Sequence, residues 1–256
     1  MRTCRLWPVV AVAAASLLGF VTPAEAQWGS IKGKVVLDGD VPTLKPLVKM
    51  GDAAAKDAAV CAAQEVPDES AVIDPSTKGI ANVVVYLRKA PSKINPALAK
   101  PASDVVVYDQ KGCRFIPHVA IVQTSQTVQV ISEDAIAHNT RGNPIKNNGF
   151  NFIVAPNDRM GIKVPMKLAE TLPVGIGCDI HPWMKGWWVV VDHPYAAVTD
   201  KDGTFEIKDL PAGEHEFRVW QERMGYVEKS LKVTVKDKAT TEVPTIKVPV
   251  KSLLAN

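Results

Sequence analysis

The sequence predicts an all-β protein made of two β-sandwiches. Between residues 104 and 192, short segments rich in Val, Ile and aromatic residues recur at the spacing typical of sandwich strands. After residue 195, an Asp-Gly pair provides the turn of a hairpin over residues 197–207, and further alternating segments follow. One segment, residues 53–64, has the Ala-, Lys- and Gln-containing composition that favours a short helix.

The overall composition is that of an ordinary globular protein. Hydrophobic residues make up 46% and charged residues 22% of the 256 residues. The formal net charge is only +3, and no run of basic residues alternates with aromatic residues. Nucleic acid is therefore not an expected partner.

Residues 1–26 have the organisation of a secretory signal peptide. Arg2 and Arg5 precede an apolar stretch over residues 6–21, and residues 24–26 (Ala-Glu-Ala) form an A-x-A cleavage site. This pattern predicts export to the periplasm or secretion, with cleavage after Ala26 and no membrane span in the mature chain. An uncleaved anchor is the alternative, which the cleavage site disfavours.

The mature chain begins with two strand segments. Residues 28–37 are a predicted strand, ended by an Asp-Gly-Asp turn at residues 38–40. Residues 80–87 form the next predicted strand, because Val and Tyr dominate their centre. Residues 89–103 contain three prolines and are a predicted connection.

The middle region has six segments of strand character. Their lengths and spacing predict a sandwich, while residues 132–139 and 142–149 are predicted to be loops between strands. The predicted strands cover residues 105–108, 120–122, 127–131, 150–154, 160–164 and 187–191, and residues 172–177 lead into the loop that follows them.

The last region continues after the hairpin with three more strand segments. A turn at residues 210–213 precedes strands predicted over residues 217–220 and 231–235. Two prolines interrupt the final strand, residues 243–250, which is therefore a predicted edge strand.

Three side chains able to bind a soft metal occur within seven residues. Cys178, His181 and Met184 are separated by two residues each, so an extended turn can bring them to one point. A thiolate, an imidazole and a thioether belong to the ligand set of a blue-copper site, which needs a second His. His138, well upstream and followed by Asn139, is the best candidate.

The Cys-x-x-His-x-x-Met spacing resembles the copper loop of the cupredoxins. Pro182 after the His makes the loop most similar to that of amicyanin, and the upstream His-Asn pair also resembles the cupredoxin pattern. The similarity covers residues 104–192. It implies a Greek-key β-sandwich in which His138, Cys178 and His181 bind one type 1 copper in a plane.

The same resemblance assigns roles to the neighbouring residues. Met184 is implied to be the weak axial ligand, and Asn139 to hold the ligand loop through a hydrogen bond. Pro182 and Trp183 lie around the ligands. Trp183 has two interpretations: a docking patch beside an exposed edge of His181, or a shield that keeps water from the metal.

Each ligand taken alone also has a structural interpretation. Cys178 is then a buried core residue, His181 part of a turn, and His138 a surface residue before a loop. The copper interpretation is favoured because the residues occur together in one pattern.

The cysteine count agrees with a metal site. After removal of Cys4 with the signal, three cysteines remain, and export permits disulfides. If Cys178 is the copper thiolate, Cys61 and Cys113 are free to pair. The alternative is that both are reduced and buried.

The C-terminal region resembles the carboxypeptidase regulatory-like domain, a small transthyretin-like β-sandwich. The resemblance lies in residues 199–205 (Thr-Asp-x-Asp-Gly-x-Phe) and the Leu-Pro-Ala-Gly turn at residues 210–213. Residues 33–35 (Gly-Lys-Val) and 82–85 (Asn-Val-Val-Val) resemble the beginning of the same domain.

These resemblances predict a split domain organisation. Residues 27–103 are an N-terminal β region, residues 104–192 a cupredoxin-like copper domain, and residues 193–256 the regulatory-like sandwich. The first and last are expected to form one sandwich into which the copper domain is inserted. Contact between the strands of Gly33 and Phe205 is the required observation.

The predicted function is single-electron transfer by an exported copper protein. Redox partners, such as a cytochrome or a copper enzyme, would dock weakly at the copper loop. An enzyme is disfavoured, because multicopper enzymes use His-x-His pairs and this chain has five histidines in no such pair. A copper-binding sensor or store remains the alternative function.

Overall fold

The computed structural model describes residues 27–254, which form β-strands with very little helix. The predicted signal peptide lies outside the described residues. The strands are β1 (Trp28–Asp38), β2 (Val84–Leu87), β3 (Val105–Gln110), β4 (Phe115–Ile116), β5 (Val119–Gln123), β6 (Thr127–Ser132), β7 (His138–Gly142), β8 (Phe150–Val154), β9 (Ile162–Pro165), β10 (Val174–Gly177), β11 (Lys185–Val191), β12 (Ala196–Val198), β13 (Thr204–Pro211), β14 (Gly213–Gln221), β15 (Gly225–Val235), β16 (Thr240–Glu242) and β17 (Ile246–Pro249).

Two short α-helices accompany the strands. They are α1 (Ala58–Cys61) and α2 (Val250–Leu253), and single 3₁₀ turns occur at Glu69–Ala71 and Pro96–Leu98. No helix in the described part of the chain is long and apolar enough to cross a membrane. The all-β fold class predicted from the sequence is thereby confirmed.

The strands from β3 to β11 form one sandwich, here called the inserted sandwich. One sheet has the order β4-β3-β6-β9 and the other the order β5-β11-β10-β7-β8. Their inner faces share a core that includes Tyr108, Phe115 and Trp188, all fully buried. Trp188 packs edge-on against Tyr108 at a ring distance of 5.4 Å. This core fixes the positions of β7, β10 and β11.

The remaining strands form a second sandwich, here called the split sandwich, from the two ends of the chain. One sheet has β1 between β13 and the pair β16 and β17, and the other has the order β12-β2-β14-β15. Gly33 lies opposite Phe205 in the antiparallel pairing of β1 with β13. This is the contact that the insertion hypothesis requires. A Cβ atom at Gly33 would come within 2.8 Å of the Phe205 ring, so the close packing needs glycine.

The two sandwiches meet through a small apolar cluster. Val84 and Trp220 of the split sandwich pack with Val119 and Val189 of the inserted sandwich. Trp187 contacts Trp220 at a ring distance of 4.9 Å. Trp187 and Trp188 thus point to opposite faces of β11, one toward the junction and one into the core.

A buried ion pair joins the sandwiches beside this cluster. His118 Nε2 lies 2.6 Å from Glu222 Oε1, and Trp187 Nε1 donates to Glu222 Oε2 at 2.7 Å. Burial opposes protonation of His118, but the hydrogen bond and charge of Glu222 outweigh it and raise the pKa of His118. The strength of the ion pair between His118 and Glu222 therefore depends on pH.

Replacing His118 by Gln should weaken this junction in a pH-dependent manner. A raised folded-state pKa stabilises the fold most below the ordinary pKa of 6.5, and the contribution disappears as pH rises through the folded-state pKa. We expect the variant to lose about 1.5–3 kcal/mol of unfolding free energy at low pH and less at high pH. Urea unfolding of metal-free protein across this pH range measures the difference, and a difference that grows with pH would contradict the prediction.

A compact loop, here called the cap (residues 47–66), lies between β1 and β2. Its ends are joined by backbone hydrogen bonds, from Leu47 N to Val66 O at 2.8 Å and from Val66 N to Val48 O at 2.9 Å. Helix α1 lies within it, and a disulfide joins Cys61 to Cys113 in the turn between β3 and β4. The cap is thereby attached to the inserted sandwich.

Three local predictions from the sequence differ from the structure. The hairpin predicted over residues 197–207 is not formed, because β12 pairs with β2 and β13 pairs with β1 in the other sheet. The helix predicted over residues 53–64 is limited to Ala58–Cys61, because Asp57 adopts a left-handed backbone conformation that stops it. Residues 138–142 form strand β7, although residues 138–139 and 142 were predicted to belong to loops. Its sequence His-Asn-Thr-Arg-Gly has low β propensity, and pairing with β8 and β10 stabilises it instead.

Candidate metal centre

The candidate site lies where three neighbouring strands of one sheet end. β7 begins at His138, β10 ends just before Cys178, and β11 begins just after Met184. β10 pairs with both β7 and β11, so these strand ends are adjacent. The sheet therefore brings His138, which is distant in the sequence, next to the loop of residues 178–184.

The loop is closed by its own backbone. Cys178 N donates to Met184 O at 3.2 Å, and Met184 N donates to His181 O at 2.9 Å. Met184 is 1% exposed and belongs to the same core cluster as Cys178. The thioether-bearing end of the loop is thus fixed in the protein interior.

Asn139 connects β7 to this loop. Its Oδ1 accepts hydrogen bonds from Asp179 N at 2.6 Å and Ile180 N at 3.2 Å, and lies 3.3 Å from Cys178 Sγ. Its Nδ2 donates to Asp179 Oδ2 at 3.0 Å. One side chain therefore satisfies two backbone donors of the loop and holds it against β7. Pro182, the remaining loop residue named from the sequence, is exposed.

Three potential ligand atoms converge at the centre of the site. His138 Nδ1 lies 2.9 Å from His181 Nδ1, and Cys178 Sγ lies 3.8 Å from His181 Nδ1. One atom from each of His138, Cys178 and His181 lies within 4.8 Å of the others, and all three residues are buried. The structure thus brings together the two histidines and the cysteine that the sequence singled out.

Both imidazoles are fixed from the outside by carboxylates. His138 Nε2 donates to Asp134 Oδ2 and His181 Nε2 donates to Asp57 Oδ2, each at 2.9 Å. Because each Nε2 is bonded outward, each Nδ1 faces the other ligands. Asp134 and Asp57 are the functional residues that sequence analysis missed; Asp134 lies four residues before His138, but nothing in the sequence pointed to Asp57.

The electrostatics of the site favour a thiolate at Cys178. Burial disfavours the charged form, but hydrogen bonds from His138 and His181 outweigh it and lower the pKa of Cys178 to about 6. Burial likewise opposes protonation of His138, and the hydrogen bond to Asp134 outweighs it and raises the pKa of His138. The pocket therefore stabilises the thiolate, the form in which a cysteine binds a metal.

A second group of potential ligands overlaps the first but cannot bind in the same manner. Cys113, Asp134 and His138 also place ligand atoms within 4.8 Å of one another. However, the sulfur of Cys113 is bonded to Cys61, so it provides no thiolate. Cys178 is the free cysteine of the described chain.

The exposed edge expected for His181 is not present. His181 is 0% exposed because the cap covers it. Trp183 packs against Val48, Ala62 and Val66 of the cap, and its ring centre lies 5.3 Å from that of His181. Of the two interpretations of Trp183, the geometry is that of a shield, because the His181 edge that the docking interpretation requires to be exposed is buried.

The other histidines have ordinary structural contacts. His193 Nε2 donates to Leu87 O at 3.1 Å, and His215 Nε2 donates to Pro211 O at 2.6 Å. His118 is bonded to Glu222, as described above. Within residues 27–254, the ligand groups of His, Cys, Asp and Glu that could hold a metal involve only the residues around His138.

Comparisons with known proteins give structural matches only. No protein-family model matches the chain, and no curated protein matches it. A mutant of amicyanin in the Cu(I) form is similar at 19% identity with a TM-score of 0.31, over 36% of this chain and 88% of that chain. A purple cupredoxin from Nitrosopumilus maritimus is similar at 18% identity with a TM-score of 0.26, over 30% of this chain and 81% of that chain.

An enzyme is also among the matched structures. A Cu-containing nitrite reductase from Thermus scotoductus SA-01 is similar at 21% identity with a TM-score of 0.29, over 41% of this chain. The match spans 28% of the nitrite reductase chain. The chain is thus similar in part to cupredoxin structures. The candidate metal centre itself is inferred from the positions of this chain's own side chains.

Proposed function

We propose that this chain is an exported type 1 copper protein that carries single electrons between periplasmic redox partners. The observation that supports this proposal is the convergence of His138 Nδ1, Cys178 Sγ and His181 Nδ1 in a buried site. Met184, in the same core cluster, would complete the donor set. This combination of a thiolate, two imidazoles and a weak thioether suits a blue-copper ion.

The donor set fits copper in its chemistry and in its protonation. Both histidine Nε2 atoms are bonded to carboxylates, so Nδ1 is the nitrogen through which each histidine would bind a metal. The low pKa of Cys178, about 6, provides a thiolate at neutral pH. When bound, copper would supply a reversible one-electron change between Cu(II) and Cu(I).

The protein supplies a rigid setting for that change. Asn139 holds the loop through backbone donors, while Asp134 and Asp57 fix the imidazole rings. Ligands held in this way move little between oxidation states, which favours electron transfer over ligand exchange.

A redox partner would reach the site from the side of Cys178. Cys178 is 3% exposed, whereas both histidines are fully buried. It lines a surface groove with Gly177, Asp179 and Lys185. Gly177 has no side chain to screen Cys178, so we place the approach of a partner at this groove instead of over His181.

Copper titration tests the proposal. Adding Cu(II) to the purified chain should give an intense thiolate-to-copper absorption and a type 1 paramagnetic resonance spectrum that saturate at about one copper per chain. Cys178→Ser should lose the absorption completely, because the thiolate is its source. His215→Gln, in the split sandwich, is the matched control and should retain it. A wild-type chain without this absorption would refute the copper proposal.

Copper storage is a second candidate, favoured by the cap that covers His181. The two functions differ in what happens on reduction. A carrier should retain copper through repeated reduction and oxidation, whereas a store should release Cu(I) to a chelator after one reduction. Optical measurement of both processes on one sample separates them.

A further inference from the structure

Asp57 occupies the N-cap position of helix α1 without capping it. An Asp at this position ordinarily accepts a hydrogen bond from a backbone N–H in the first turn, which is worth about 1 kcal/mol. Here the Asp57 side chain makes no such bond, although its backbone oxygen accepts from Val60 N and Cys61 N. The carboxylate is bonded instead to His181 Nε2 at 2.9 Å.

The backbone of Asp57 is also unusual. Its φ of 52° and ψ of 45° lie in the left-handed region, which is unfavourable for a residue with a side chain. Unfavourable backbone conformations persist where surrounding structure enforces them, and they concentrate at functional sites. Helix capping does not account for this conformation, and in it the Asp57 carboxylate reaches His181 Nε2.

A disulfide near Asp57 holds it over the site. The disulfide from Cys61, at the other end of α1, fixes the helix to Cys113 of the inserted sandwich. Cys113 N in turn donates to Asp134 Oδ2, the same oxygen that accepts from His138 Nε2. The disulfide therefore connects the surroundings of the two carboxylates: Asp57 lies four residues before Cys61, and Asp134 accepts from the backbone of Cys113.

We propose that Asp57 is a positioning residue for His181, held in place by the cap and its disulfide. The carboxylate sets the His181 ring so that Nδ1 faces Cys178 and His138, and it closes the outer edge of the ring to solvent. Part of the metal centre is thus supplied by a loop of the N-terminal region, outside the inserted sandwich that carries the ligands. In its consequences for copper, this inference rests on the proposed function, but the contact itself is testable without metal.

The test uses two substitutions that differ only in what they offer His181. Asp57→Gly accepts the left-handed backbone without strain and removes the carboxylate. Asp57→Asn also tolerates that backbone and keeps an acceptor oxygen, but removes the charge. Asp52→Asn is the matched control, because Asp52 lies on the same cap and bonds Ala54 N rather than His181.

The first measurement is the imidazole nitrogen spectrum of metal-free protein. In wild type, in Asp57→Asn and in Asp52→Asn, the Nε2 proton of His181 should be bonded and slow to exchange. In Asp57→Gly it should exchange fast, while the backbone spectrum of the cap is unchanged. A His181 proton equally protected in Asp57→Gly and wild type would overturn the proposal.

The second measurement is copper binding by the same four proteins. Removing a carboxylate behind a ligand histidine typically lowers metal affinity 10–100-fold, and we expect a loss of about this size in Asp57→Gly. Asp57→Asn should recover most of the copper affinity. It should also shift the redox equilibrium toward Cu(I), because it removes a negative charge that favours Cu(II). Wild-type affinity and potential in Asp57→Gly would count against the proposal. If wild type failed to bind copper, only the proposed function would be refuted. The role of Asp57 in positioning His181 would still be tested by the spectra of metal-free protein.

Discussion

Replacing Cys61 and Cys113 together by Ser should lower the free energy of unfolding by about 4 kcal/mol. The disulfide closes a loop with a sequence separation of 52 residues, and cross-links of this span restrict the unfolded chain by roughly that amount. Domains are ordinarily stable by only about 5–15 kcal/mol, so the loss is large. Urea unfolding of metal-free protein, followed by fluorescence, measures it.

The same variant should also loosen the cap selectively. The cap retains a small apolar cluster of Val48, Ala62 and Val66 with Trp183, too few residues to hold it without the disulfide. Limited proteolysis should therefore cut the cap of the double Ser variant well before the inserted sandwich. Wild-type protein without reductant is the control. An unchanged urea midpoint and unchanged cleavage would show that the disulfide does not anchor the cap.

Asp134→Ala should cost about 3–5 kcal/mol in the metal-free protein. The buried carboxylate accepts from Gly112 N at 2.6 Å, Cys113 N at 2.8 Å and His138 Nε2 at 2.9 Å. Removing it leaves three donors without their acceptor, two of them in the turn that carries the disulfide. Each unsatisfied buried group costs about 1–3 kcal/mol.

The neighbouring Glu133 provides a matched control for Asp134. Glu133 is about half exposed and forms ion pairs with Lys111 and Arg159 at the surface. Glu133→Gln should cost less than about 1 kcal/mol, because exposed ion pairs contribute little. Asp134→Asn keeps one acceptor oxygen and should fall between the two. Equal unfolding free energies for Asp134→Ala and Glu133→Gln would contradict the assigned role of Asp134.

The fold was predictable where the sequence pattern is local. Alternation and turn residues indicated the all-β class and most strands, and the Asp-Gly pair does form a turn between β12 and β13. These two strands do not pair as the predicted hairpin, because β12 joins β2 in one sheet and β13 joins β1 in the other. Strand β7 was missed because its polar sequence takes its conformation from β8 and β10, and such pairing leaves no local signal. The length of the helix near Cys61 was overestimated, because helix propensities do not predict the left-handed backbone of Asp57.

The site was predictable mainly because three of its four predicted ligands lie in one short loop. Cys178, His181 and Met184 are close in sequence, and the His138-Asn139 pair provided the distant component. The carboxylates were not predictable, because Asp57 contacts His181 across 124 residues and is one acid among many in the sequence. The cap over His181 was missed for the same reason, because a contact between two segments far apart in the sequence has no recognisable pattern in either segment.

The entry and exit of the inserted sandwich have a consequence for how the chain folds. β2 and β12 pair with each other, with Tyr86 opposite Ala196, so the inserted sandwich occupies the place of a hairpin turn. In the unfolded chain, a contact such as Val83 N to Thr199 Oγ1 must close a loop of 116 residues. Once the inserted sandwich has folded, its ends lie side by side and most of that loop-closure entropy is already lost. The pairings of the split sandwich then close much shorter loops, so we expect the inserted sandwich to form before the one that surrounds it.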